Sequence, residues 1–229
     1  MALVNNHKKI AIIGAGGFGR EVLDMFYTLN QEQNNFEVLG FIVQKQYGEP
    51  GTIVNELPIL GDFDWLESHK YQVEVTCAVG APQYRYRLVK QAKEIGVKFT
   101  NAIHPSVRLN RWITLGEGVI ITAGCLLTTN VLIGNHVHIN LACTIGHDVK
   151  IMDYVSIAPG VHVSGNVNLG EGCYIGTGAN LIEKLNIGEW SVIGAGSTII
   201  RDVPSNSTVV GVPGKVVKTK EGGWHENEN

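Results

Sequence analysis

From Val107 to Asp202 the apolar positions recur with a fixed spacing of six and without a slip in register. Cut into hexads, the stretch reads VRLNRW ITLGEG VIITAG CLLTTN VLIGNH VHINLA CTIGHD VKIMDY VSIAPG VHVSGN VNLGEG CYIGTG ANLIEK LNIGEW SVIGAG STIIRD. The third place is aliphatic in every unit, from Leu109 to Ile199, and the first is small or β-branched with few exceptions. Glycine often follows the aliphatic residue, as in Gly116, Gly134, Gly146, Gly170, Gly176, Gly188 and Gly194. A period of six excludes an α-helix, whose apolar stripe returns every three or four residues. Inward residues at places one and three follow the alternation of a short strand, and the glycine is expected to relieve the corner where the chain turns. Three such sides close a triangular coil of about eighteen residues, so the stretch predicts about five coils stacked at about 4.8 Å into a prism about 25 Å long. Strict self-similarity of this kind is the signature of a solenoid.

The N-terminal half follows a different pattern. A short apolar run, Lys9 to Ile13, leads straight into Gly14-Ala15-Gly16-Gly17-Phe18-Gly19 and then into a helical pattern from Arg20 to Leu29, with Val22, Leu23, Phe26 and Tyr27 on one side. Strand, glycine turn and helix together suit a phosphate, which backbone N–H groups and a helix N-terminus can hold. A second strand is expected from Val38 to Val43, paired with the first, and a third from Val73 to Val79. A helix from Gln83 to Ile95 then leads to a strand from Val97 to Ala102. A dinucleotide site would need an acidic residue at the end of the second strand, and Val43-Gln44 stands there, which argues against NAD. The expected organisation is a Rossmann-like α/β domain over residues 1–104, a hexad prism over 105–203 with its boundary at His104-Pro105, and a C-terminal segment over 204–229 whose polar end, WHENEN, is poorly ordered.

Composition narrows the class only a little. With 229 residues, a formal net charge of -3 and 44% hydrophobic residues, the chain has no basic surplus to suggest a nucleic acid partner. No apolar run approaches the roughly 20 residues of a membrane span, and the N-terminus lacks the apolar core of a signal peptide, so a cytoplasmic location is expected. Cys77, Cys125, Cys143 and Cys173 form no CxxC pair, and the last three fall on the first, inward place of their hexads as core residues. Cys125 and Cys143 should stack in adjacent coils at a separation that would permit a disulfide, and a reducing compartment favours free thiols.

The hexad run resembles the left-handed parallel β-helix of the hexapeptide-repeat acyltransferases, which use acyl-CoA. The handedness follows from that resemblance, since the general crossover rule favours the right hand. Through GAGGFGREV, NAIHPS, GHDVKI and GVPGK, the whole arrangement resembles the sugar-nucleotide acetyltransferases that modify amino sugars for surface glycans and glycoproteins. The matching subgroup is the N-acetyltransferases of UDP-4-amino-4,6-dideoxy sugars, with the sialic acid O-acetyltransferase-like proteins as close relatives. The resemblance implies acetyl-CoA as co-substrate, a nucleotide sugar as acceptor, no metal, and a homotrimer with active sites between the prisms.

Acetyl transfer to an amine needs a group that accepts a proton, and histidine titrates near working pH. His136, His138, His147 and His162 lie in the prism, and the residues alone do not choose among them. The resemblance does: only Ile145-Gly146-His147-Asp148 matches the family's histidine followed by an acid, which implies His147 as base and Asp148 as its carboxylate partner. It implies the Gly165 N–H as oxyanion donor, Ser156, Thr177 and Ala195 beside the acetyl-CoA arm, and Gly16, Gly17, Phe18 and Gly80 around the sugar nucleotide. Phe18 and Ser156 stand where histidines occur in the family, and Val43-Gln44 replaces an acidic pair that reads the base. Among other readings, O-acetylation of a sugar hydroxyl needs the same groups and is the live alternative. A zinc enzyme of the γ-carbonic-anhydrase type would need two histidines five residues apart, a spacing missing from the prism.

Overall fold

The computed structural model describes residues 7–222. The N-terminal domain runs β1 (Lys8–Ile13), α1 (Gly17–Gln33), β2 (Phe36–Ile42), β3 (Ile53–Val54), β4 (Leu57–Gly61), α2 (Phe63–His69), β5 (Glu74–Cys77), α3 (Pro82–Ile95) and β6 (Lys98–Phe99). Its six-stranded sheet has the order β3-β4-β2-β1-β5-β6, parallel throughout except where β3 runs antiparallel to β4. Central β1 buries Ile10 to Ile13 on both faces, as a parallel strand covered on both sides must. Ile10 and Ile12 pack with Val22, Leu23 and Phe26 of α1, and Ala11 and Ile13 pack with Leu66 of α2 and Val89 of α3. Hairpin β3–β4 and helix α2 occupy the interval between the second and third expected strands, where the apolar pattern predicts nothing. The expected strand from Val97 to Ala102 is two strands, β6 in the N-terminal sheet and β7 (Ala102–Ile103) in the prism.

That split moves the domain boundary. Ala102 and Ile103 pair with Ile120 and Ile121, so NAIHPS is already a hexad of the first coil and the expected boundary at His104-Pro105 falls inside the prism. The first counted hexad, VRLNRW, is the one that forms no strand, and its third-place Leu109 is exposed. The three faces of the prism are stacks of short parallel strands. A domain-facing face climbs through Ile120–Ile121, His138–Ile139, Ser156–Ile157, Tyr174–Ile175 and Val192–Ile193. A second face contains Lys150–Ile151, and a third contains Thr144–Ile145 and His162–Val163. The core is the column of first-place and third-place side chains, among them the buried free thiols of Cys125, Cys143 and Cys173.

The corners differ from expectation. Every sixth-place residue from Gly118 to Gly196 has positive φ, including His136 at 54°, Asp148 at 60° and Trp190 at 54°, while the fourth-place glycines do not. The turn is therefore made at place six, and glycine at place four serves close stacking: a Cβ on Gly146 would lie 2.6 Å from the Gly165 nitrogen of the next coil. Past Asp202, Ser207–Val210 pairs parallel with Val192–Ile193 and antiparallel with Lys215–Thr219, which caps the top coil. The WHENEN end lies outside the described residues.

Candidate active site

His147 occupies the fifth place of CTIGHD, on the edge where the third face turns into the second. Consecutive strand residues point apart. Here Asp148, in the left-handed conformation of place six, turns its carboxylate back along the edge, so that Oδ2 lies 2.8 Å from His147 Nδ1. Asn130, one coil earlier at the same place, donates from Nδ2 to Asp148 Oδ1 at 3.0 Å. The hydrogen bond from His147, then that from Asn130, lowers the Asp148 pKa from its ordinary value. A carboxylate at Nδ1 fixes the proton there and leaves the Nε2 lone pair free to accept another. Both side chains are about half exposed, open to a partner molecule.

Gly165 lies directly against that imidazole: a Cβ there would sit 2.6 Å from both Cε1 and Nε2 of His147. Any side chain at 165 would displace the ring. On another edge, the N–H groups of Glu117 and Asn135 at the same hexad place are taken by the side chains of Asn135 and Asp153. Among the described residues, no acceptor takes the Gly165 N–H.

Ser156 and Thr177 lie elsewhere, in a cavity of about 600 Å³ between the domain-facing face and the N-terminal ends of α1 and α3. Phe18 and Gly80 line the same cavity, and the Phe18 ring lies 5.1 Å from that of His138. Ser156 is buried and its Oγ donates to the Gly80 carbonyl at 2.6 Å. Ala195 is exposed on the coil above Thr177 and outside this cavity. A second cavity, of about 710 Å³, opens over the glycine turn between Gly14 to Gly16 and Val43, Gln44 and Tyr47. Gly14 has a φ of 103°, and a Cβ on Gly19 would collide with the Gly14 carbonyl at 2.0 Å, so α1 can start only against a bare turn. Gly16 and Gly17 leave their surroundings open. None of His147, Asp148 and Gly165 lines either cavity.

Two buried groups meet at the junction, one of the four candidate histidines and an arginine that the sequence does not mark. Arg85 of α3 and His138 are both buried, with Arg85 Nη1 donating to His138 Nδ1 at 2.9 Å. Burial, then the neighbouring Arg85 charge, holds the His138 pKa well below its ordinary value, so this imidazole stays neutral. His136 is likewise pushed down to about 3, first by burial and then by Lys93 and Arg85. Of the four prism histidines, His147 and His162 are the exposed ones; of these two, His147 pairs with a carboxylate and His162 Nδ1 lies 2.8 Å from the Thr144 hydroxyl. Among the described residues, no three His, Cys, Asp or Glu side chains converge to hold a metal, and no helix is long and apolar enough to cross a membrane.

Residues 9–92 match the PglD N-terminal domain family. A search of curated proteins finds no match. Among solved structures, the acetyltransferase domain of PglB from Neisseria gonorrhoeae, in complex with acetyl coenzyme A, is 31% identical, with a TM-score of 0.84 over 92% of this chain and 100% of that one. Perosamine N-acetyltransferase from Caulobacter crescentus, in complex with CoA and GDP-perosamine, is 28% identical, with a TM-score of 0.84 over 92% of this chain and 97% of that one. WeeI from Acinetobacter baumannii is 29% identical over 92% and 100%, with a TM-score of 0.80. A Rossmann-like domain followed by a left-handed parallel β-helix, matched along nearly its whole length by these enzymes, places the chain in the hexapeptide-repeat sugar-nucleotide acetyltransferase family.

Proposed function

We propose that this acyltransferase moves the acetyl group of acetyl-CoA to the amino group of a nucleotide-linked 4-amino sugar. The observation that carries the reading is the imidazole of His147, paired through Nδ1 with Asp148 at 2.8 Å and resting by its other edge on Gly165. In the reaction the amine nitrogen attacks the thioester carbonyl while His147 Nε2 takes its proton. The oxyanion that forms accepts a hydrogen bond from the Gly165 N–H. Collapse breaks the C–S bond, and the imidazolium returns its proton to the departing CoA sulfur, leaving an amide. Asp148 stabilises the imidazolium between those steps.

The cavity over the glycine turn is the place for the nucleotide, with its diphosphate at Gly16 and the α1 N-terminus. The cavity at Phe18, Gly80, Ser156 and Thr177 receives the sugar and the acyl end of the arm. His147 stands on another edge of the prism, so a second copy must bring its own cavity to this edge, and a homotrimer meets that need. Exposed Tyr47 and Gln44 border the nucleotide cavity and offer a ring face and one amide to a base. We take that base to be uracil. The perosamine enzyme binds a GDP sugar, so the choice is decided by experiment.

Incubation with acetyl-CoA and UDP-, dTDP- and GDP-linked 4-amino sugars, followed by free thiol release, tests the reading. Turnover with an amino sugar and none with its hydroxyl counterpart is expected, and acetylation of a hydroxyl sugar alone would overturn it. Calorimetry with UDP, dTDP, GDP and NAD tests the base. Tightest binding is expected for UDP, tightest binding of GDP overturns the choice of uracil, and binding of NAD alone overturns the sugar-nucleotide assignment.

A further inference from the structure

Arg85 is fully buried, yet its hydrogen bonds go to carbonyl oxygens and one imidazole. Nη1 donates to the carbonyls of Val79 at 2.9 Å and Gly80 at 3.1 Å, within its own domain, and to His138 of the prism. Nη2 donates to the prism carbonyls of Tyr154 at 2.6 Å and Val155 at 3.2 Å. A planar fork of fixed donors can hold so many acceptors in one geometry, which a single ammonium cannot. From the prism side, Ser156 Oγ adds a donor to the same Gly80 carbonyl at 2.6 Å. One carbonyl thus accepts from both domains.

The turn so held is a shared wall. Gly80, Ala81 and Pro82 line the cavity beside Ser156, and Val79 lines the cavity over the glycine turn. A Cβ on Gly80 would meet nothing within 4 Å, so the turn is gripped from behind by its carbonyl while its Cα face stays open. A burial this costly, with no ion pair to Arg85 among the described residues, fits a requirement for geometry better than one for stability alone.

We propose that Arg85 and Ser156 are positioning residues for the acceptor: together they set the Gly80 turn, and with it the depth at which a nucleotide-linked sugar is held, so that Ser156 serves the acceptor and not the acetyl-CoA arm. The proposal rests on the nucleotide-sugar reading above. It departs from the family resemblance, which puts position 156 beside the acyl donor. A hydroxyl committed to Gly80 stands at the position where the resemblance gives some members an imidazole.

The test compares wild type, Ser156→Ala, Ser156→Thr and Arg85→Lys in steady-state kinetics, with calorimetry on CoA and on whichever of UDP, dTDP and GDP binds wild type best. Loss of one hydrogen bond to the turn should raise the KM for the nucleotide sugar and the nucleotide Kd about three- to tenfold in Ser156→Ala. The KM for acetyl-CoA and the Kd for CoA should move less than about twofold, within the spread of a lost neutral contact. Ser156→Thr, which keeps the hydroxyl, should recover most of the loss, and Arg85→Lys should repeat it more strongly. Should Arg85→Lys fail to fold, the two serine variants decide alone. A rise confined to acetyl-CoA, equal rises for both substrates, or no change in either overturns the proposal. Wild-type protein that binds CoA but no nucleoside diphosphate overturns the nucleotide-sugar reading itself, and the proposal with it.

Discussion

At the scale of single residues, the candidate base is marked by what holds it. His147 is fixed by Asp148 on one side, Asp148 by Asn130, and the free edge of the ring by the bare backbone of Gly165. His147→Ala is expected to lower kcat by about 10²–10⁴-fold, the usual contribution of a positioned base, with an unchanged fold because the side chain projects from the prism. Asp148→Asn should cost less, since the histidine remains and only the proton's location and the imidazolium's stabilisation are lost. Steady-state kinetics checks both, and near wild-type turnover in His147→Ala would show that another group takes the proton. The pair was legible in the sequence only through the family motif, because strand alternation alone points neighbours apart. Asn130 was legible in principle: it lies eighteen residues before Asp148, one coil below. Arg85 was not, because QYRYRLVKQ reads as a polar helix face, and only the tertiary structure shows which of its arginines meets the prism.

At the scale of elements, the strands and coils of the repeat are legible in its period, but its corner lies two residues beyond the place-four glycines that suggest it. Glycine is frequent at place four, and frequency suggested conformational freedom. The need there is for room between coils, while place six bends with Asn, Asp, His and even Tyr and Trp. Hairpin β3–β4 escaped notice because its turn is Asn55-Glu56, both at positive φ, in place of the glycine that usually marks such a turn. Helix α2 had a readable start in Asp62, whose side chain accepts from the Asp64 N–H at 3.0 Å. One bent edge also ties the domains together. His136 stacks on Tyr154 at 5.4 Å and meets Phe99 edge-on at 4.6 Å, with Lys93, Arg85 and Glu117 as its charged neighbours. Its pKa falls from 6.5 to about 3 on folding. The unfolded chain therefore binds more protons between those values, so stability is full above about pH 6.5 and declines as pH falls toward 3. Thermal unfolding is expected to shift to lower temperature across that window. His136→Asn, which tolerates the left-handed backbone, should show a shallower pH dependence. An identical slope in the variant would place the acid sensitivity elsewhere, with His138 next in line.

At the scale of the molecule, one chain holds the parts of a transferase without bringing them together. One cavity lies where the N-terminal domain meets the prism, the other lies within the N-terminal domain, and the His147 edge lies between the other two faces. Those faces also expose apolar side chains that a lone prism has no use for: Leu126, Ile182 and Ile200 on or beside the third face, Leu132 and Met152 on or beside the second. Packing the prisms about a threefold axis would cover such side chains and set the His147 edge of one copy against the cavity of the next, giving three complete sites from three incomplete ones. The expected outcome is a trimer in sedimentation equilibrium at micromolar concentration. Mixing tests the shared site directly. A His147→Ala chain retains its cavities, and a chain with Gly80→Trp, which fills the cavity beside Ser156, retains its His147. Neither should turn over alone. Where each site draws its base from one copy and its cavity from another, mixed trimers contain some sites with both parts intact, and activity should reappear at about a quarter of wild type, the random-pairing share for a two-copy site. A stable monomer with full turnover, or mixtures with no recovered activity despite demonstrated subunit exchange, would mean that each chain completes its own site.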